Sequence, residues 1–212
     1  MYKNIIKGYF EKVNNLGDEE YLFSTIAISS GPTLMGEKPS SIVTLKNSNR
    51  NLMDSWYNIR EKVRERFDVD YIELNEEENF VTVLIYDKKI LEEVLKDKRK
   101  RAFLKRFGYE NDMDLNDILN HLKKRFKISC PHEIGIFLGY PIADVAMFVN
   151  CPNRACLKVG YWKVYHNLEE AECIFEKYDN IKTNIIKLIK EGVNPSELME
   201  HRVNFKLSNI KL

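Results

Sequence analysis

His132 and Glu133 stand side by side in CPHEIGIFLGYP, residues 130–141, which packs a thiol, an imidazole, a carboxylate, two glycines and two prolines into twelve positions. A neutral imidazole can serve as a general base or a ligand, and a carboxylate can orient it or work alone. Consecutive helical residues point about 100° apart, so the two would face different partners rather than each other. The competing reading is structural: Glu133 complements the positive end of a short helix and His132 packs against a sheet. Cys130, Cys151 and Cys156 could be grouped with His132 as metal ligands. Their spacing, C-x-H and then C-x4-C, is not a C-x2-C pairing, and no metal is assigned. Nor does spacing alone make Cys130 and His132 a nucleophilic dyad.

Two further stretches could bind a ligand. In GYWKVY, residues 160–165, an extended backbone would put Tyr161, Lys163 and Tyr165 on one side and Gly160, Trp162 and Val164 on the other. One face could stack a flat ligand while the other packs the core, and Gly160 would permit close approach. An ordinary half-buried strand explains the same pattern. The loop GPTLMGEKPSS, residues 31–41, offers Thr33, Lys38 and backbone N–H groups to an anion. It is not a Walker loop, because the lysine does not directly follow the second glycine; a plain crossover loop is the competing reading. The segment KDKRKRAFLKRF, 96–107, holds seven basic residues and one acidic one. It could meet RNA or an acidic partner, or be a solvated helix face balanced by the acidic NEEEN segment.

The elements that must position these residues read as follows. Residues 2–13 suit a short amphipathic helix. Asp18 suits an N-cap, with Glu19 and Glu20 in the first turn, for a helix through YLFSTIAIS that ends at Gly31-Pro32. A buried strand would fit the same apolar run. SIVTL reads as a short strand and 51–67 as a helix with Leu52, Trp56, Ile59, Val63 and Phe67 on one face. VDYIEL and FVTVLIYD form a hairpin with a turn longer than two residues. Residues 88–107 are helical with a break near Asp97 and a stop at Gly108. Asp114 caps a helix carrying Leu115, Ile118, Leu119, Leu122 and Phe126. A short helix, 131–138, stops at Gly139, and Pro141 opens another with Ile142, Val145, Ala146 and Val149 inward. Residues 155–165 read as one strand. Asn167 and Glu170 suggest a capping box for a long helix, 168–190, ended by Gly192. A short helix begins at Pro195, followed by a frayed tail.

The expected fold is α+β: a single domain over residues 1–192, with a small, largely antiparallel sheet of about four strands covered by helices, and a short C-terminal helix and tail over 193–212. With 212 residues the chain can bury a real core. Its 33 basic and 32 acidic residues leave a net charge of +1, which argues against a dedicated nucleic-acid binder. No run of about 18 apolar residues predicts a membrane span, and the first residues lack the apolar stretch of an export signal. Four irregularly spaced cysteines do not suggest a secreted disulfide scaffold. The expected location is the cytoplasm.

PTLMGEKPSSIV, CPHEIGIFLGYPIADVAMFV, GYWKVY and FEKYD, in that order, resemble an uncharacterised bacterial family, domain of unknown function 3793, from about residue 20 to 190. The resemblance maps the family's motifs onto Pro32, Thr33, Leu34, Lys38 and Pro39, then His132, Glu133, Gly135, Gly139, Tyr140, Pro141 and Asp144, and then Gly160, Tyr161, Trp162, Lys163 and Tyr165. Family members often carry a small residue or Cys before the first Pro-Thr. Ser30-Gly31 stands there in this chain, which weakens a thiol mechanism based on that loop. The resemblance implies boundaries and site positions but no reaction.

The expectation is therefore a cleft for a small molecule or cofactor, built from loop 31–41, the His132-Glu133 helix start and strand 160–165. His132 or Glu133 would handle a proton, and Lys38 would meet an anionic group. Thr33, Tyr140, Tyr161, Trp162 and Tyr165 would complete the binding surface. The cofactor, any reaction and the oligomeric state are unspecified by the residues. The alternative is an interaction module that binds protein or RNA through the basic helix 96–107.

Overall fold

FVTVLIY, residues 80–86, is apolar at nearly every position, the pattern of a strand buried on both faces. In the computed structural model, which describes residues 2–201, it forms β3 (Phe80–Tyr86), the centre of an antiparallel sheet ordered β1-β3-β2. β1 (Ser40–Lys46) and β2 (Asp70–Glu77) are the edges. Val81, Val83 and Ile85 join one core cluster, and Leu84 and Tyr86 join another. Helices therefore cover both faces of the sheet.

The first face is covered by α1 (Tyr2–Asn14), α2 (Asp18–Leu34), α3 (Leu52–Phe67) and the long α9 (Leu168–Glu191). The second is covered by α4 (Lys88–Lys96), α5 (Lys98–Lys105), α6 (Leu115–Phe126), α7 (Ile134–Phe137) and α8 (Ile142–Asn150). A separate two-stranded hairpin, β4 (Lys158–Val159) and β5 (Lys163–Val164), packs with α9 in a third, smaller cluster. A 3-10 segment, Pro195–His201, closes the described chain. The α+β expectation holds for one domain, with the strands divided three and two. The expected tail lies outside the described residues.

Several local expectations change. α2 does not stop at Gly31-Pro32 but runs to Leu34 with Pro32 inside it. Met35 N–H donates to Gly31 O at 2.9 Å, and a Cβ on Gly31 would lie 2.7 Å from Ile185 Cδ1. Close packing on α9 thus accompanies a helix end that propensity alone would not favour. The N-cap of α2 is Gly17, and the Asp18 carboxylate instead accepts from Arg50 at 2.6 Å. The β2–β3 turn is only two residues, since Glu77 pairs with Phe80. Asn75, Glu76 and Glu77 stay extended because they pair with Thr82, Val81 and Phe80, and a bulge between Glu73 and Asn75 falls at the buried Leu74. Asn167 is the N-cap of α9, its carbonyl accepting from Ala171 N–H at 3.2 Å, but its side chain makes no cap bond to the helix backbone and donates to Glu170 instead.

The break between α4 and α5 falls at Asp97, whose carboxylate accepts from Arg99 and Lys100 N–H groups as the cap of α5. Asp114 caps α6 the same way through Asp117 N–H. Gly139, at φ +77°, ends the short α7 turn, and Pro39 packs where its Cβ would be, at 2.6 Å. That contact ties the 35–39 loop to the 130–141 segment.

Candidate functional site

The reading of 155–165 as one strand is corrected by a tight hairpin. β4 and β5 are two residues each, and Gly160, Tyr161 and Trp162 make the connection, with Gly160 N–H donating to Trp162 O at 3.0 Å. Trp162 and Val164 are buried, as alternation predicted, but Tyr165 is buried as well. The cause is Asp144 on α8, a carboxylate only 2% exposed. It accepts from Trp162 Nε1 at 2.8 Å, from the Tyr165 and His166 backbone N–H groups at 2.9 Å each, and contacts His166 Nδ1 at 3.1 Å. A buried charge satisfied by several donors is a strong fixture, and this one clamps the hairpin onto α8.

Between hairpin and helix lies a cleft of about 460 Å³. Its walls include Pro131, Ile134, Gly135, Val145, Phe148 and Val159, with Tyr140 and Trp162 at the seam between two core clusters. The Tyr140 and Trp162 rings lie 5.1 Å apart and tilted by 31°. His132, Cys130 and Lys163 supply the polar groups of the lining, together with the engaged Asp144. The exposed His132 ring packs edge-on to Phe148 at 4.9 Å, and Lys163 Nζ lies 5.2 Å from the same ring. Burial, with the nearby Glu133 charge, pushes the Cys130 thiol up, which disfavours the nucleophilic thiolate. Two larger hollows of about 700 Å³ are lined largely by Asp, Glu, Lys and Arg side chains.

Glu133 does not share the cleft with His132. Its carboxylate, 1% exposed, pairs with Arg125 Nε and accepts from Tyr109 OH at 3.3 Å. The two side chains therefore diverge, and they do so from a turn: the expected helix over 131–138 is reduced to α7, Ile134–Phe137, which leaves His132 and Glu133 before its start. Thr33 belongs to the end of α2 rather than a loop, buried with its hydroxyl 2.8 Å from Ser41 Oγ. Tyr161 lies outside the cleft lining and donates to Asp179 Oδ1 at 2.8 Å. Lys38 is buried next to the cleft rather than in its wall, with Nζ 5.5 Å from the Tyr140 ring centre. Tyr140 thus links the three predicted segments. Asp144 was legible only as a motif position; its function depends on contacts across 18 to 22 residues of chain.

The basic segment spends much of its charge internally. Arg101 donates to the carbonyls of Glu110 and Asn111. Arg99 and Lys96 pair with Asp97 and Glu93. Arg106 bonds Asn150 and lies against Phe103 and Phe107. Among the described residues no group of three or more His, Cys, Asp or Glu side chains could hold a metal ion, and no helix is long and apolar enough to cross a membrane.

Residues 26–199 match the family described as Protein of unknown function (DUF3793). The chain belongs to DUF3793. No curated protein and no solved structure matches it. The matched span takes in loop 35–39, α7, α8 and the β4–β5 hairpin, so the cleft is formed wholly from DUF3793 sequence.

Proposed function

We propose that this DUF3793 chain is a cytoplasmic protein that binds a small molecule in the cleft between the 130–148 segment and the 158–164 hairpin. The observation that carries this reading is an apolar hollow of about 460 Å³ with few polar groups, within the ~300–1,000 Å³ span of ligand sites. The Tyr140–Trp162 pair forms the flat wall, and Val145 and Phe148 form the opposing apolar surface. His132 handles any hydrogen bond or proton transfer at the rim. Glu133 acts through position, anchoring the turn that carries His132 to Arg125. The clamped hairpin supports the reading, because a rigid wall lowers the ordering cost of binding.

Partner binding through the basic segment is less well supported, since Arg101 and Arg106 already hold neighbouring groups. The test is native mass spectrometry of protein purified anaerobically without added ligand, comparing wild type with Val159→Trp. Val159 is 67% exposed and lines the cleft, so the indole fills the hollow at little cost to the fold. A co-purified mass present in wild type and missing from V159W is the expected result. An apoprotein mass, with thermal shifts toward flat aromatic probes unchanged by V159W, overturns the reading.

A further inference from the structure

Lys38 is 7% exposed, yet its ammonium has no hydrogen-bond or ion-pair partner among the described residues. Burying such a charge alone is costly, and most buried lysines are paired. The sealed, partnerless side-chain atoms among the described residues are Ser30 Oγ and Tyr57 OH. Lys38 Nζ is not one of them, so it keeps a path to solvent.

A second cation stands close by. Gly31 lets α2 approach α9 beside Ile181, Lys182 and Ile185, and Lys182 is half-buried with Nζ 4.6 Å from the Tyr161 ring centre. The Lys182 charge, after burial itself, helps bring Lys38 down to about 8. Neither nearby carboxylate bonds Lys38: Glu37 pairs with Lys177, and Asp179 accepts from Tyr161 while its charge also acts on Lys182. Tyr178 donates to Glu37 O at 3.3 Å and stacks edge-on to Tyr161 at 5.1 Å. The Tyr140 hydroxyl, like Lys38 Nζ, is neither sealed nor bonded to a described residue.

We propose that Lys38, Lys182 and the Tyr140 hydroxyl form an oxyanion site, for a phosphate or carboxylate group, separate from the cleft and joined to it by Tyr140. Two ammonium groups and a hydroxyl donor are a fit for an oxyanion, which gains strength from charge-assisted bonds in a partly desolvated setting. The site explains why a lysine is buried without an acid: its counter-ion is supplied from outside. It does not depend on what the cleft holds.

The experiment titrates the full chain with inorganic phosphate, and in parallel with acetate, at constant ionic strength in chloride buffer near pH 7, read by intrinsic tryptophan fluorescence and by Tm. The expected result is a saturable response to one or both anions. It weakens about tenfold or more in Lys38→Met, weakens in Lys182→Met, and is unchanged in Lys177→Met. K38M removes an unpartnered charge, so it folds at least as stably as wild type; Lys182 is only half-buried, so K182M offers a second independent variant. A phosphate response assigns the site to phosphate esters, and an acetate response assigns it to carboxylates. A non-saturating response to both, or one that survives in both K38M and K182M, overturns the proposal.

Discussion

At the scale of single residues, three buried charges have three different solutions. Glu133 is paired with Arg125, Asp144 is surrounded by N–H donors, and Lys38 has neither. Removing a carboxylate that satisfies several buried donors costs more than the net worth of any one bond, because each donor is left desolvated. Asp144→Ala is therefore expected to lower stability by about 3 kcal/mol or more, whereas Asp144→Asn keeps one acceptor oxygen and costs less. Chemical denaturation measures both. The exposure of Trp162, seen as a red shift in its emission, should rise in D144A if the carboxylate holds the hairpin as described.

At the scale of elements, the site depends on how closely α9 approaches its neighbours. Gly160 and Gly31 are both contact points on that helix, but of different kinds. A Cβ at Gly160 would fall 2.1 Å from Phe175 Cε2, inside a rigid ring, whereas one at Gly31 would meet the tip of Ile185. An isoleucine tip can rotate away; a buried phenyl ring has nowhere to go without moving the hairpin. Gly160→Ala should therefore cost about 1–3 kcal/mol, more than Gly31→Ala, and should disturb the cleft that Gly160 lines. Thermal unfolding of the two variants tests the order. A larger loss in G31A would show that the α2–α9 contact is the tighter one.

At the scale of the whole molecule, unpaired buried lysine links folding to pH. Lys38 is lowered to about 8 by burial first and by Lys182 second, against an ordinary value near 10.4. Between those values the unfolded chain binds more protons than the folded one, so stability rises with pH across that window. The contribution of Lys38 is roughly 2–3 kcal/mol by pH 10. Lys182 is also lowered, by burial against the opposing effect of Asp179, and acts in the same direction. The facing groups Tyr140 and Tyr178 are pushed up to about 12, mainly by burial, so they act oppositely only above about pH 10. Denaturation at pH 7.5, 8.5 and 9.5 should show the rise in wild type and a flatter curve in K38M. Equal slopes would show that Lys38 titrates normally.

Local sequence was enough for the helices and the central strand, because amphipathic spacing, Asp caps at 97 and 114 and the glycine stops at 108, 139 and 192 act within a few residues of chain. It was also enough to single out His132, Lys38, Tyr140 and Trp162 as worth attention. It misplaced the end of α2 and the form of 155–165, since those outcomes depend on Ile185 beside Gly31 and on Asp144 across the hairpin. Adjacent letters suggested that His132 and Glu133 work together, yet Arg125 draws Glu133 away. A side chain's partners are set by what the fold brings within reach of its charge, and spacing along one segment carries no record of the others. Only the tertiary structure decided that Lys38 would be buried beside Lys182 with no acid to meet it.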